Sequence, residues 1–285
     1  MLLIADSGST KCDWVLFKNK ENEPIKIRTK GLNPSILKKE ALQNIILENV
    51  ALSKHKNDIS SIYFYGAGCN TVDSIQLIET IFSEYFINAT AIVKEDTMAA
   101  VKASTNNASV VCILGTGSNC CFFDGNEIHS KIPAMGYLLM DEASGNYFGK
   151  ELLKCYYYKK MPESLKILFE KNYNLNENEV IKQLYQSETP NKYLAEFAVF
   201  LFQNKEDIVM DAIIREGVIK FIDNHILQFK EELKSVPLFF VGSIAYYAQD
   251  YIIDALKERG LRASRFIKRP IDNLIYKIKQ ETFTD

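Results

Sequence analysis

The chain has 285 residues, 47% of them hydrophobic, with 34 basic and 36 acidic side chains and a formal net charge of −2. That length supports one large domain or two moderate ones, each with its own core. The near-even charge lacks the basic excess that neutralises a nucleic-acid backbone, no apolar run approaches bilayer-spanning length, and the opening residues lack the basic start of a secretory leader. A cytoplasmic protein without nucleic-acid or membrane partners is therefore expected. The six cysteines (12, 69, 112, 120, 121 and 155) contain no Cys-x-x-Cys pair and sit mostly in or beside apolar segments, which predicts free buried thiols. His55, His129 and His225 fall on segments that read as surface and lack ligand spacing.

The chain opens as a three-stranded meander over residues 2–5, 12–18 and 24–29. A helix is expected from about Ser35 as N-cap, with Leu37, Ala41, Leu42, Ile45 and Ile46 on one stripe. Strand 62–65, helix 75–85, strand 89–93 and helix 96–103 follow. Hairpin-linked strands succeeded by alternating helices and strands predict a mixed sheet with helical faces. After the polar break Thr105-Asn106-Asn107 the meander begins again near 109–114, 119–124 and 127–132, which reads as a duplicated lobe. Residues 144–234 are mainly helical in pattern, including a stripe through Ile214, Val218, Phe221, Ile222, Phe229 and Leu233. A buried strand at 237–241 ends at Gly242-Ser243, a helix follows near 245–258, and a short segment surrounds Phe266. Ile271, Leu274, Ile275 and Ile278, spaced i, i+3, i+4, i+7, predict a last helix over about 271–285 that packs back on the first lobe.

Two turns carry most of the chemical information: Asp6-Ser7-Gly8-Ser9-Thr10-Lys11 and Gly115-Thr116-Gly117-Ser118-Asn119. Each lies between two strand-like runs, whereas a P-loop or a dinucleotide fingerprint must open a helix. Glycine lets the backbone approach a ligand closely, and successive N–H groups with Ser/Thr hydroxyls donate to phosphate oxygens. The pair therefore reads as two phosphate-holding hairpins. Asp96 starts a helix directly after a strand, where a carboxylate is placed to accept a proton from a ligand or to cap the helix. Asn33, in Gly31-Leu32-Asn33-Pro34, fits either a hydroxyl-binding role or an ordinary turn. Asp141 and Glu142 read either as ligand-binding or as an acidic cap on the helix that starts near Ser144. Trp14 alternates within the second strand and is expected in the core.

Duplicated lobes that each open on such a hairpin resemble the actin-like ATPase superfamily, which includes sugar kinases and Hsp70. Within it the chain is most similar to the BadF/BadG/BcrA/BcrD ATPase family, in particular its N-acetylglucosamine kinase-like branch. The resemblance spans nearly the whole chain and rests on DSGSTKCDW (6–14), GLNP (31–34), YGAGC (65–69), EDTMAAVKA (95–103), LGTGSNC (114–120), AMGYLLMDEASG (134–145) and VGSIA (241–245).

The resemblance implies an α/β fold of two ribonuclease H-like lobes, 1–105 and 106–285, the second with a helical insertion, and an ATP cleft between them. It implies ATP and Mg2+ as cofactors, an amino sugar as substrate and Asp96 as the catalytic base, with Glu95 a neighbouring candidate. Ser7, Gly8, Ser9, Thr10, Lys11, Gly115, Thr116, Gly117 and Ser118 would hold phosphate, Gly242 and Ser243 the adenosine, and Asp6 the metal through water. Asn33, Gly68, Gly136 and Asp141 would bind sugar. The family often carries Trp-Gly where this chain has Met135-Gly136, which leaves the sugar open, with Tyr137 and Tyr147 as candidate aromatic substitutes. Two alternatives stand beside the kinase: an ATPase that activates a partner enzyme through an iron–sulfur cluster shared across a dimer, and a nucleotide-dependent sugar sensor without turnover. A homodimer is compatible with each of these readings.

Overall fold

The computed structural model describes residues 1–8, 11–19 and 21–282. It contains two compact units: Met1–Ala103 together with the segment from Pro270, and Ser104–Arg269.

In the first unit, strands β1 (Leu2–Ser7), β2 (Lys11–Phe17), β3 (Ile25–Lys30), β4 (Ser61–Gly66) and β5 (Thr90–Glu95) form one sheet in the order β3-β2-β1-β4-β5. The meander β1-β2-β3 is antiparallel, and β1, β4 and β5 are parallel. Period-two alternation divides the apolar residues between two faces. Leu3, Ala5, Trp14, Leu16 and Phe64 pack beneath helices α1 (Lys39–Leu47) and α3 (Val72–Tyr85), through Leu42, Ile46, Ile78 and Phe82. Trp14 is fully buried in this core, and its indole N–H donates to Thr29 Oγ1 at 2.9 Å. Leu2, Ile4, Val15 and Phe17 line the opposite face against Ala99 and Ala103 of α4 (Asp96–Ser104) and against Leu274 and Ile278 of the C-terminal helix, Pro270–Thr282. The apolar stripe of that last helix is thus buried on the first sheet, each large aliphatic side chain contributing roughly 1.5–3 kcal/mol. Asn273 Nδ2 and Lys277 Nζ add bonds to the carbonyls of Ala103 and Lys102 at 3.4 and 2.7 Å.

The second unit repeats the topology. Strands β6 (Ser109–Leu114), β7 (Ser118–Phe123), β8 (Ile128–His129), β9 (Leu238–Val241) and β10 (Arg265–Ile267) lie in the order β10-β9-β6-β7-β8, again an antiparallel meander joined to parallel strands. Between β8 and β9 the chain forms α5 (Gly145–Tyr157), α6 (Glu163–Asn172), α7 (Glu177–Tyr185), α8 (Pro190–Glu196), α9 (Ala198–Gln203) and α10 (Ile208–Asn224). Their apolar faces share one core with the sheet. After β9 come α11 (Ser243–Tyr247) and α12 (Gln249–Lys257).

Four local expectations are corrected. The first helix begins at Lys39, because Asn33 Oδ1 accepts the Ser35 N–H at 2.9 Å and closes a side-chain turn, while the Ser35 hydroxyl donates to Gly68 O. A further short helix, α2 (Val50–His55), is capped by Asn49, whose Oδ1 accepts the Leu52 amide at 3.0 Å. Strand β8 stops at His129, four residues before Pro133, which has no N–H to donate. His225 is buried: its ring stacks on Phe221 at 4.9 Å, and its Nε2 pairs with Glu142 Oε2 at 3.0 Å.

Candidate functional site

In the first unit the sheet register sets a row of residues at the carboxyl ends of the parallel strands. Ser7 lies opposite Gly66 and Gly66 opposite Glu95, one residue before α4 begins at Asp96. Such strand ends are where ligands gather in α/β sheets. Asp6, paired with Tyr65 and Asp13, sits one step back. Burial pushes the Asp6 carboxyl up to about 6, and the negative charges of Asp96 and Asp13 add to that, against a smaller opposing pull from Lys11. Asp96 is raised by the protein mass around it, although its surface still reaches water and its Oδ1 accepts the Thr97 N–H at 2.9 Å. Burial, then Asp96, raises Glu95 too. The corner is rich in carboxylates and short of cations.

Asp13 does not share that deficit. Burial works against its ionisation, but Lys11 Nζ at 2.9 Å and Arg28 Nε at 2.6 Å hold its carboxyl below the usual range. Lys11 is thereby tied to a neighbour on its own strand. Among the described residues no group of three or more His, Cys, Asp or Glu could hold a metal ion. A magnesium ion that keeps most of its waters needs only one or two carboxylates, and the hard, under-compensated oxygens of Asp6 fit that requirement.

Ser7 is fully buried, and its Oγ accepts the Leu32 N–H at 2.8 Å, so its side chain braces the Gly31-Leu32-Asn33 turn. Ser9 and Thr10 lie outside the described residues, while Gly8 opens the turn with room around it. Asn33 and Gly68 are brought together. A Cβ on Gly68, whose φ is +81°, would fall 2.1 Å from Asn33 Oδ1, so glycine is required for the asparagine to lie there. Cys69, beside Asp96 and Glu95, is buried, and burial followed by those charges pushes its thiol up to about 12.

The second unit holds Gly115, Thr116, Gly117 and Ser118 between β6 and β7. The turn is closed by Gly115 N–H to Gly117 O at 2.9 Å and docked on the start of α5 by Gly145 N–H to Gly115 O and Asn146 N–H to Thr116 O, at 2.8 and 3.0 Å. Asp141 lies against it: Oδ1 accepts the Ser118 amide at 3.1 Å, and Oδ2 accepts Asn146 Nδ2 at 2.7 Å. Asp141 itself has φ +71°, a left-handed conformation that Asp tolerates better than most residues. Gly242, with φ +115°, packs onto the same turn, where a Cβ would meet Leu114 O at 2.2 Å, and Ser243 beside it is exposed. Ser118 Oγ and Asn146 Oδ1 are buried and make no hydrogen bond within the protein.

No protein-family model matches this chain, and no curated protein matches it significantly. Among solved structures it is similar to the "Putative N-acetylglucosamine Kinase" of Porphyromonas gingivalis, at 30% identity over 99% of this chain and 100% of that one, with a TM-score of 0.88. The chain belongs to the N-acetylglucosamine kinase-like family of the actin-like ATPase fold. A protein of the same printed name from Chromobacterium violaceum shares the fold at 14% identity, covering 96% of this chain and 97% of that one, with a TM-score of 0.66. So does a ROK-family glucokinase from Streptomyces griseus in complex with glucose and AMPPNP, at 12% identity over 96% of each chain and a TM-score of 0.54.

Within this family member, the residues expected around sugar divide between the units: Asn33 and Gly68 in the first, Gly136 and Asp141 in the second. Gly136 has φ +71° and open space about it, so backbone conformation rather than close approach calls for glycine. Met135 is exposed, and Tyr147 is buried with its ring edge-on to Phe148. The sequence reading missed Asn146, whose amide sits within a helix of apolar pattern and gave no signal. All six cysteines are free and buried. Among the described residues no helix is long and apolar enough to cross a membrane.

Proposed function

We propose that the chain is an ATP-dependent carbohydrate kinase of the BadF/BadG type that phosphorylates an amino sugar, N-acetylglucosamine in the first place, at its C6 hydroxyl. The observation that carries this reading is the Asp6–Asp96 corner: two carboxyls at the ends of parallel strands, both raised above their usual range by burial, Asp6 further by the charge of Asp96. Asp96 accepts the proton of the attacking sugar hydroxyl as its oxygen bonds to the γ-phosphorus and the bond to ADP breaks. A raised carboxyl is a stronger base in that role. Asp6 holds magnesium through water. When bound, the ion neutralises charge on the β- and γ-phosphate oxygens.

In the same reading Gly8 and Lys11 of the first turn and Thr116 and Gly117 of the second receive the phosphates through backbone N–H groups, Ser118 contributes its unpartnered hydroxyl, and Gly115 leaves the space for close approach. Ser9 and Thr10 join them on sequence grounds. Gly242 and Ser243 flank the adenosine, and Asn33 and Gly68 of the first unit, and Gly136 and Asp141 of the second, bind the sugar. Residues 1–105 with the returning C-terminal helix, and the remainder from 106, act as the two lobes. The iron–sulfur alternative requires thiolates that a partner subunit can share, and six buried cysteines do not offer them. The test is an ATP-dependent phosphorylation screen over amino sugars, their N-acetyl forms and simple hexoses, read by mass spectrometry. Asp96→Asn should abolish product while nucleotide still binds; turnover at the normal rate in that variant overturns the assignment.

A further inference from the structure

The helical part of the second unit contains a cavity of about 720 Å³ that the kinase reading does not use. Its floor is aliphatic and buried: Leu153 of α5, Val180 of α7 and Leu194 of α8 are 6%, 4% and 2% exposed. Its rim is apolar yet exposed, with Leu138, Tyr158 and Tyr185 at 76%, 69% and 81%. Single exposed apolar residues are ordinary, but several around one concavity mark a surface that something covers. The size and composition match small-molecule sites, which are concave, largely apolar and carry few polar groups.

The charged groups of the lining have one sign. Lys150 and Lys154 are a turn apart on α5 and face the cavity, and its lining includes no Asp or Glu. Lys150 Nζ donates to the Tyr137 carbonyl, which ties α5 to the segment before it. Burial, then the neighbouring Lys154 charge, lowers Lys150. Lys154 is exposed and pairs with the half-buried Glu151 at 2.8 Å, which lies outside the cavity lining. Two mutually repelling ammonium groups above an apolar basin are satisfied together by a ligand with an anionic head and an apolar body.

We infer that this cavity is a second ligand site, for an amphipathic organic anion: an aryl or acyl body bearing one carboxylate, phosphate or sulfonate. The apolar body covers Leu153, Val180 and Leu194, and the head lies between Lys150 and Lys154. The concavity favours a small molecule over a protein surface.

The test is a fluorescence titration of the full chain with 8-anilinonaphthalene-1-sulfonate. One saturable site per chain is expected, with its dissociation constant raised at least about tenfold by Lys154→Glu and by Tyr185→Asp, the loss typical of a removed charged or anchoring contact. Both side chains are exposed, and circular dichroism with thermal melting establishes that the variants fold. On the unaltered chain, uncharged N-phenyl-1-naphthylamine should bind about tenfold more weakly than the sulfonate, a comparison that needs no variant. Displacement by 2-naphthoate identifies an aryl body and displacement by decanoate an acyl one; either supports the site. Absence of saturable binding, displacement by neither anion, equal binding of the neutral probe, or unchanged affinity in both folded variants overturns it. Loss of the site as protein concentration rises, in step with a rise in mass, makes a second copy the occupant and overturns it too.

Discussion

Asp141 reaches across 23 residues of sequence to accept the Ser118 amide at 3.1 Å, and so holds the second glycine turn against the start of α5. Its other oxygen takes the buried Asn146 amide at 2.7 Å. Asp141→Ala leaves both donors without a partner, a cost of about 1–3 kcal/mol for each buried group. We expect that variant to lose at least about tenfold in nucleotide affinity, by calorimetric titration. Asp141→Asn should be much milder: its Oδ1 still accepts from Ser118, and a flipped Asn146 amide offers its unused Oδ1 to the new NH2 group. If Ala and Asn behave alike, the carboxylate is not bracing the turn.

The glycines of this turn differ in what they forbid. A Cβ on Gly117 would stand 3.0 and 3.2 Å from the Asp141 oxygens, which a small shift of that side chain accommodates. A Cβ on Gly242 would strike the Leu114 carbonyl at 2.2 Å from a backbone with φ +115°. Gly117→Val should therefore weaken nucleotide binding with little change in melting temperature. Gly242→Ala should lower stability by about 2–4 kcal/mol, from strain and backbone collision together. Denaturant unfolding of both variants separates the two effects.

The strands and both hairpin turns were legible because their signals are local. The short apolar runs Leu2–Ala5 and Cys12–Phe17 read as strands buried on both faces, and Gly/Ser/Thr clusters mark turns. The register of the last helix was equally plain in Ile271, Leu274, Ile275 and Ile278. What the sequence concealed depends on partners far along the chain. Ser35 looks like an N-cap until Asn33 and Gly68 claim it. Asp141 reads as a capping acid until Ser118 is beside it, and His225 as a surface residue until Glu142, 83 residues away, is found at its ring.

That Glu142–His225 pair is a stability element, with Asn224 Nδ2 a further donor to Glu142 Oε1 at 3.1 Å. Burial acts to raise the Glu142 carboxyl, but its bonds to His225 and Asn224 win and hold it below the usual range. A lowered carboxyl contributes stability that is present above its unfolded value, near 4.5, and is lost as the pH falls through the folded one. Glu142→Ala should cost about 1–3 kcal/mol at pH 7, by leaving the buried imidazole unpaired. The deficit should shrink in acid, where the parent protein has lost the same interaction. A deficit that is constant from pH 7 to pH 3 would mean that packing, not the charged bond, is what the residue supplies.

Asp6 carries the opposite sign. Its carboxyl is pushed up to about 6 in the folded chain from an ordinary value of 3.8, so between those values the folded state holds the proton that the unfolded state has released. Stability from this group is therefore full below about pH 4 and falls as the pH rises towards 6, after which the loss is constant. Asp6→Asn removes the uncompensated charge and should stabilise the apoprotein at pH 7 by about 1–2 kcal/mol, discounted for the water that still reaches a half-buried group. The gain should vanish below about pH 4, where the parent carboxyl is protonated as well. Under the kinase reading the same variant loses phosphoryl transfer, and added Mg2+ with ATP no longer raises its melting temperature as it does for the parent. A variant that is less stable than the parent at pH 7, or one whose advantage persists unchanged at pH 3.5, would show that Asp6 is not the strained carboxylate of this corner.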